Sequence, residues 1–209
     1  MSQPEAKNNR PPETHGKKIL DVGCGRNKHP GAVGMDINPA TDADVIHDLG
    51  IVPYPFPDDE FDEVVSNHVI EHVPDPMMFV AELYRITKSG GRIKLLTPHY
   101  TNPDWPNDLT HRNHLNSYSF QNFIPERQLF AFYTTAKLKP VRLYVSLLNL
   151  WRALGLEFIV NLDQRWPALR FTRKFWEQYL SGIFRGKELQ FEFEIIKTST
   201  INKVEAARK

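Results

Sequence analysis

The chain has 209 residues, 41% of them hydrophobic and 24% charged, which suits a globular domain with a substantial core. Its formal charge is only +1, so overall composition gives no reason to expect a nucleic-acid binder, and one cysteine excludes an internal disulfide framework. No signal peptide or apolar run of transmembrane length is evident, and the expected location is the cytoplasm.

Residues 1–16 are polar, carry Pro4, Pro11 and Pro12, and read as a disordered lead-in, with 17–200 forming one domain and 201–209 a tail. Lys17 to Val22 has the profile of a buried parallel strand, and it breaks into the turn Gly23-Cys24-Gly25. Cys24 reads as a small apolar filler. A second apolar run, Val33 to Ile37, ends on Asp36, where an acid can accept hydrogen bonds from both hydroxyls of a ribose.

Two ligand classes fit such a turn. A dinucleotide site needs G-x-G-x-x-G and a full helix whose N-terminus faces the pyrophosphate. Here position 28 is Lys28, and His29-Pro30-Gly31 interrupts any helix soon after it could start. The spacing therefore favours a nucleoside without phosphates, such as S-adenosylmethionine, over NAD. Only about six residues separate Ile37 from Asp44, where a parallel crossover normally needs about a dozen. The early helices are thus expected to be severely shortened, and the third strand little more than an extended segment.

Phe61 to Asn67 reads as a fourth strand, and the stretch that follows it falls where open α/β sheets bind their ligands. Pro53-Tyr54-Pro55-Phe56-Pro57 is too proline-rich for an element interior and is expected to wrap the sheet edge. A helix is predicted over 75–88, capped by Asp75, opened by Pro76 and stopped by Ser89-Gly90-Gly91, with Lys88 at its C-terminal dipole. Arg92 to Thr97 then forms a fifth strand. It delivers His99 to the edge that holds Asp36, and residues 101–119 follow as a substrate-side loop.

Four segments resemble one family in its order and near its spacing: LDVGCG (20–25), GMDINP (34–39), FDEVVSNHVIEHV (61–73) and KSGGRIKLLTPH (88–99). The family is that of the class I S-adenosylmethionine-dependent methyltransferases, in the branch related to quinone-biosynthesis methyltransferases. The resemblance implies an α/β, Rossmann-like fold with a mostly parallel seven-stranded sheet, helices on both faces and an altered C-terminal cap. It also implies cofactor contacts from Asp21, Gly23, Gly25, Asp36, Ile37, Asp48, Leu49 and Asn67, Asp48 lying near the adenine amino group. Asp48 reads equally as a turn initiator before Gly50.

His68, Glu71 and His72 fall at i, i+3 and i+4, and as a string match the inverzincin motif H-x-x-E-H. That reading is rejected because the string follows a fourth Rossmann-type strand, where relatives carry a Glu-His pair. Some relatives have an acid in place of His68 and hold a divalent cation there. A metal set of His68, Glu71, His72 and His114 follows from that resemblance, and His114 lies in Thr110-His111-Arg112-Asn113-His114. Histidine titrates near neutrality, which makes His68, His72, His99 and His111 the candidates to line the methyl-transfer site and manage an acceptor proton.

Val141, Leu143, Val145 and Leu147 alternate like a strand, as do Phe191, Phe193 and Ile195 against Glu192 and Glu194. Those glutamates need partners if their strand lies inside the sheet. Between the two strands, Phe171, Phe175, Trp176, Tyr179, Leu180, Ile183 and Phe184 fall at helical spacing amid Arg165, Arg170, Arg173, Lys174, Arg185 and Lys187. That stripe is expected to pack on the sheet, with contact to a membrane surface as the other outcome. The expected activity is methyl transfer to a small molecule, lipid-linked intermediate or saccharide, at a hydroxyl. An RNA ribose methyltransferase, a regulatory subunit that binds cofactor without turnover, and a nicotinamide oxidoreductase are the alternatives.

Overall fold

A computed structural model describes residues 16–128 and 130–197. The expected lead-in, apart from its last residue, and the tail lie outside the described residues. Seven strands form one sheet in the order β3-β2-β1-β4-β5-β7-β6. They are β1 (Ile19–Val22), β2 (Val33–Asp36), β3 (Val45–Ile46), β4 (Phe61–Asn67), β5 (Thr87–Pro98), β6 (Leu138–Leu147) and β7 (Gly186–Ile195). Neighbours are parallel from β3 to β5, while β7 runs antiparallel to both β5 and β6. The order reverses direction between β1 and β4, and both strands end at the same edge.

No helix occupies the connections from β1 to β2 and from β2 to β3. Hydrogen bonds replace it: Asp21 Oδ2 accepts from the His29 amide at 2.7 Å, and Asp44 Oδ2 accepts from the Gly34 amide and from Lys28 Nζ. Lys28, standing where a third glycine would be, therefore ties the loop to β3. The two-residue β3 matches the expected extended segment.

Between β4 and β5 lies α1 (Pro76–Ile86), which Asp75 caps by accepting from the amides of Met77 and Met78. Its apolar face, Phe79, Val80, Leu83 and Ile86, is buried against the sheet core. The predicted continuation to Lys88 is not formed. Thr87 turns extended and pairs with Phe61, so β5 begins there rather than at Arg92 and Arg85 takes the last-turn position. The proline-rich segment runs along α1: the Tyr54 amide donates to Glu82, and Arg85 donates to the carbonyls of Tyr54 and Phe56.

The last two strands fall where the alternation placed them, with one correction. Val141 sits at a bulge opposite the Phe193–Glu192 step and is 44% exposed, so the inward row is Leu143, Val145 and Leu147. The strand glutamates do find partners: Arg92 lies 3.9 Å from Glu192 and 3.4 Å from Glu194, and Lys139 lies 3.5 Å from Glu194.

The segment between β6 and β7 folds as α2 (Asn149–Ala153), α3 (Leu156–Val160), α4 (Arg170–Phe175) and a π turn, Trp176–Leu180. Trp176 enters the core, as the stripe predicts. Leu180 and Phe184 pack partly against it as well, and the other four members depart from the expectation. Phe171, Phe175, Tyr179 and Ile183 are exposed, because α4 and the π turn face the core with their other side, burying Arg173 against Asp163 and Glu177 against His99. Among the described residues, no helix is long and apolar enough to cross a membrane.

Candidate functional site

The site gathers at the edge where β1, β2, β4 and β5 end. Gly23 (φ 69°) and Gly25 (φ 55°) take the left-handed conformation that turns the chain off β1. A Cβ on Gly23 would lie 2.3 Å from Val69 Cγ2, so the turn can close on the β4 exit only with glycine there. A Cβ on Gly25 would meet nothing within 4 Å, and this side of the turn is open to a ligand. Asp36 stands beside it, half-buried, with Oδ2 accepting from the Gly25 amide and Oδ1 from the Asn38 amide, both at 2.9 Å. Each oxygen keeps acceptor capacity for a diol. Ile37 next to it is 60% exposed and offers an apolar face to a base.

The other cofactor candidates divide by burial. Asp21 is 4% exposed and engaged with the His29 amide, and burial raises its pKa, so it shapes the turn from inside. Asp48 is exposed and accepts from the Gly50 amide at 2.8 Å, the bond a turn initiator makes. Leu49 packs partly against the core, its carbonyl accepting from Tyr54 Oη. Asn67 is exposed at the end of β4.

After β4 the chain enters a turn through His68, a non-glycine residue at φ 55°. His68 Nδ1 lies 3.3 Å from Glu71 Oε1, and Nε2 lies 3.8 Å from Glu188. The first contact is within ion-pair reach but misaligned for a hydrogen bond, which leaves Oε1 without a hydrogen-bond partner although Glu71 is fully buried. The contact with Glu71 raises the His68 pKa, and burial opposes it. Glu71 Oε2 accepts from Thr97 Oγ1 at 3.0 Å.

His72 and His111 come together with ring centroids 4.6 Å apart. His72 Nδ1 meets Thr110 Oγ1 at 2.8 Å, and His111 Nδ1 donates to the Trp105 carbonyl at 2.8 Å. Glu71, His72 and His111 each place a ligand atom within 4.8 Å of the others. Neither His68 nor His114 is part of this group: His68 leans toward Glu71 and Glu188, and His114 is exposed and stacks on Trp105, centroids 3.8 Å apart. His99 is also set apart. It is fully buried, Nε2 meeting Glu177 Oε1 at 2.9 Å and Nδ1 meeting Thr101 Oγ1 at 2.7 Å, because the π turn closes over it. Of the four histidines proposed to line the site, His68, His72 and His111 remain on its open side. Sequence reasoning missed Trp105, Glu177 and Glu188. Glu177 is 78 positions from His99, and no local pattern signals such a pairing.

Residues 20–95 match a family model described as a methyltransferase domain. The chain is 31% identical over 99 residues to a probable S-adenosylmethionine-dependent methyltransferase of Mycolicibacterium smegmatis, covering 40% of this chain and 38% of that protein. It is 34% identical over 104 residues to a chloroplastic tocopherol O-methyltransferase of Arabidopsis thaliana, covering 39% and 30%. The chain thus spans about a third of the length of these curated relatives. Among solved structures, a geranyl diphosphate C-methyltransferase from Streptomyces coelicolor, in complex with magnesium, geranyl diphosphate and S-adenosylhomocysteine, superposes with a TM-score of 0.53 at 14% identity, over 87% of this chain and 71% of that one. An S-adenosylmethionine-dependent methyltransferase from Mesorhizobium loti gives 0.51 at 14% identity, over 88% and 93%. At that identity the likeness is one of fold. The sheet order and the glycine turn define a Rossmann-like α/β domain. Residues 20–95 are thus similar to the methyltransferase domains of S-adenosylmethionine-dependent enzymes.

Proposed function

We propose that the protein transfers the methyl group of S-adenosylmethionine to a hydroxyl of a small-molecule, lipid-linked or saccharide acceptor. The observation that carries the reading is Asp36 beside the open Gly25 turn, with His72 and His111 in the loops beyond the same sheet edge. In this reading Asp36 holds the ribose, Ile37 and Leu49 flank the base, Asp48 and Asn67 lie along its edges, and Gly23 and Gly25 admit the amino-acid portion. When bound, the cofactor supplies an electrophilic methyl carbon on a sulfonium. The acceptor oxygen forms a bond to that carbon as the carbon–sulfur bond breaks, its electrons remaining on sulfur, and the hydroxyl proton passes to a ring nitrogen. His72 and His111 are held at Nδ1 by Thr110 and Trp105, which leaves Nε2 of each to take it. The chain's main contribution is alignment of acceptor and methyl carbon.

Incubation with labelled S-adenosylmethionine and a cell extract, followed by isolation of the labelled species, tests the activity. A labelled small molecule or lipid supports it, and labelled RNA as the chief product would replace it with the ribose reading. Cofactor binding without any labelled product would assign a regulatory subunit.

Glu71 Oε1, buried and with no aligned hydrogen bond beyond its ion-pair contact to His68, favours a second reading in which a divalent ion assists. A carboxylate and two imidazoles suit a transition ion, and the Trp105 carbonyl would fix the tautomer of His111 from behind. The residues fit such an ion with His111, not His114, completing the set. Turnover unchanged in metal-free protein would remove this reading and leave the first intact.

A further inference from the structure

A cavity of about 720 Å³ lies on the β6–β7 side of the sheet, beneath the 117–127 segment and α4, and none of the proposed cofactor residues lines it. Its floor is apolar: Phe120 meets Phe191 edge-on and Phe193 at a tilt, with centroids 4.6 and 5.3 Å away, and Leu143 continues the surface. Its rim is cationic, formed by Arg127, Arg142, Arg170 and Lys174, all exposed. The acids on its wall are Glu126, exposed, and Asp163, which is already paired with Arg173.

Two polar side chains on this wall are out of place unless something completes them. Arg173 is 4% exposed and its Nε has no hydrogen-bond partner, and Ser117 is 5% exposed with an unpartnered Oγ. Buried donors left unpaired cost free energy, and a buried guanidinium hydrogen-bonded to one carboxylate retains donors for a further anion. Burial lowers the Arg173 pKa although Asp163 and Glu177 both favour its charged form. The volume is within the roughly 300–1,000 Å³ typical of small-molecule sites.

We propose that this cavity binds an amphiphilic anion, its phosphate or carboxylate head group completing Arg173 and Ser117 and its apolar chain lying on Phe120, Phe191 and Phe193. The rim cations Arg127, Arg142, Arg170 and Lys174 draw the head group in, and Phe171, 61% exposed at the mouth, extends the apolar path to the surface. The site is separate from the methyl-transfer reading and does not depend on it. It is nevertheless joined to the sheet edge, since the Ser117 amide donates to Glu177, whose other oxygen meets His99.

Calorimetry of the full chain with octyl phosphate below its micelle concentration tests the proposal, with inorganic phosphate and octanol as the two halves of the ligand. Octyl phosphate should bind at least tenfold more tightly than either half. Ser117→Ala should weaken it by about five- to tenfold, the worth of one hydrogen bond to a charged or neutral partner. The exposed pair Arg170→Gln/Lys174→Gln should weaken it at least tenfold. Equal binding of octanol, no binding of octyl phosphate, or indifference to Ser117→Ala overturns the site. A last arm uses vesicles of phosphatidylglycerol and phosphatidylcholine: vesicle binding that octyl phosphate does not displace overturns it in favour of surface docking by the exposed helical ridge. Adenosylhomocysteine is titrated into the same samples. All variants should bind it as the wild type does, and its failure to bind would sink the methyl-transfer proposal while leaving this one standing.

Discussion

Asp36 makes two backbone hydrogen bonds that hold the glycine turn beside it, and the same carboxylate is proposed to grip the ribose. Asp36→Ala should therefore weaken adenosylhomocysteine binding by about 1.5–3 kcal/mol, the scale of hydrogen bonds to a charged group. Calorimetry reads this directly, and unchanged affinity would detach Asp36 from the cofactor. His68 makes a pH-dependent prediction. Its pKa is raised from an ordinary 6.5 by Glu71, with burial opposing, so folded protein holds the proton more tightly than unfolded chain. The stability it contributes is full below about pH 6.5 and is lost as pH rises through the folded value. Melting temperature measured across that interval should decline more in the wild type than in His68→Gln, and parallel curves would show that the Glu71 contact contributes nothing. For proton transfer, His72→Ala or His111→Ala should lower turnover by about 10²-fold or more once the acceptor is known. Full turnover in both variants would leave the proton to another group.

The glycine turn and the π turn fail in different ways when disturbed. Gly23→Ala places a Cβ 2.3 Å from Val69 at a positive φ, and should cost at least about 1–3 kcal/mol in urea unfolding as well as cofactor affinity. The π turn acts through Glu177. Burial alone would raise the pKa of this carboxyl, but His99 and Ser117 outweigh it and hold the value low, so the charged form is the bonded one. Glu177→Ala leaves His99 and the Ser117 amide buried without their partner and should cost about 3–5 kcal/mol. A loss under 1 kcal/mol, roughly that of an exposed pair, would show that the His99 cluster is solvated rather than closed.

The cap between β6 and β7 and the start of β7 consume their acids internally and leave every cation but Arg173 outside. Glu157 meets Tyr144 and the Leu147 amide, Asp163 meets Arg173 and Glu177 meets His99, while Arg152, Arg165, Arg170, Lys174, Arg185 and Lys187 are exposed. A near-neutral chain thus carries a basic face that its total charge conceals. The ridge of Phe171, Phe175, Tyr179 and Ile183 lies on that cap. Because these side chains are already 54–68% exposed, serine at each should change unfolding free energy by no more than about 0.5 kcal/mol. A larger loss would mean that the ridge packs against the protein in solution.

Local chemistry made much of this protein legible in its sequence. A run of apolar residues broken by Gly23 and Gly25, an acid ending the next run, and Asp75 before Pro76 each act within a few residues, so β1, β2 and the start of α1 follow from neighbours along the chain. The strands β6 and β7 were readable for the same reason, since alternation is a property of the pleat itself. Contacts between distant segments decided the rest. Strand pairing with Phe61 drew Thr87 out of the helix that Lys88 was expected to end, a bulge turned Val141 to solvent, and the ridge stayed outside because Arg173 and Glu177 took the inward positions of their helical face. Packing of Trp105 likewise chose His111 over His114 for the cluster, and Glu177 took His99 out of it. Residue type and spacing specify which groups are capable of chemistry, but only the folded chain brings segments far apart in sequence within the few ångströms over which hydrogen bonds and burial act.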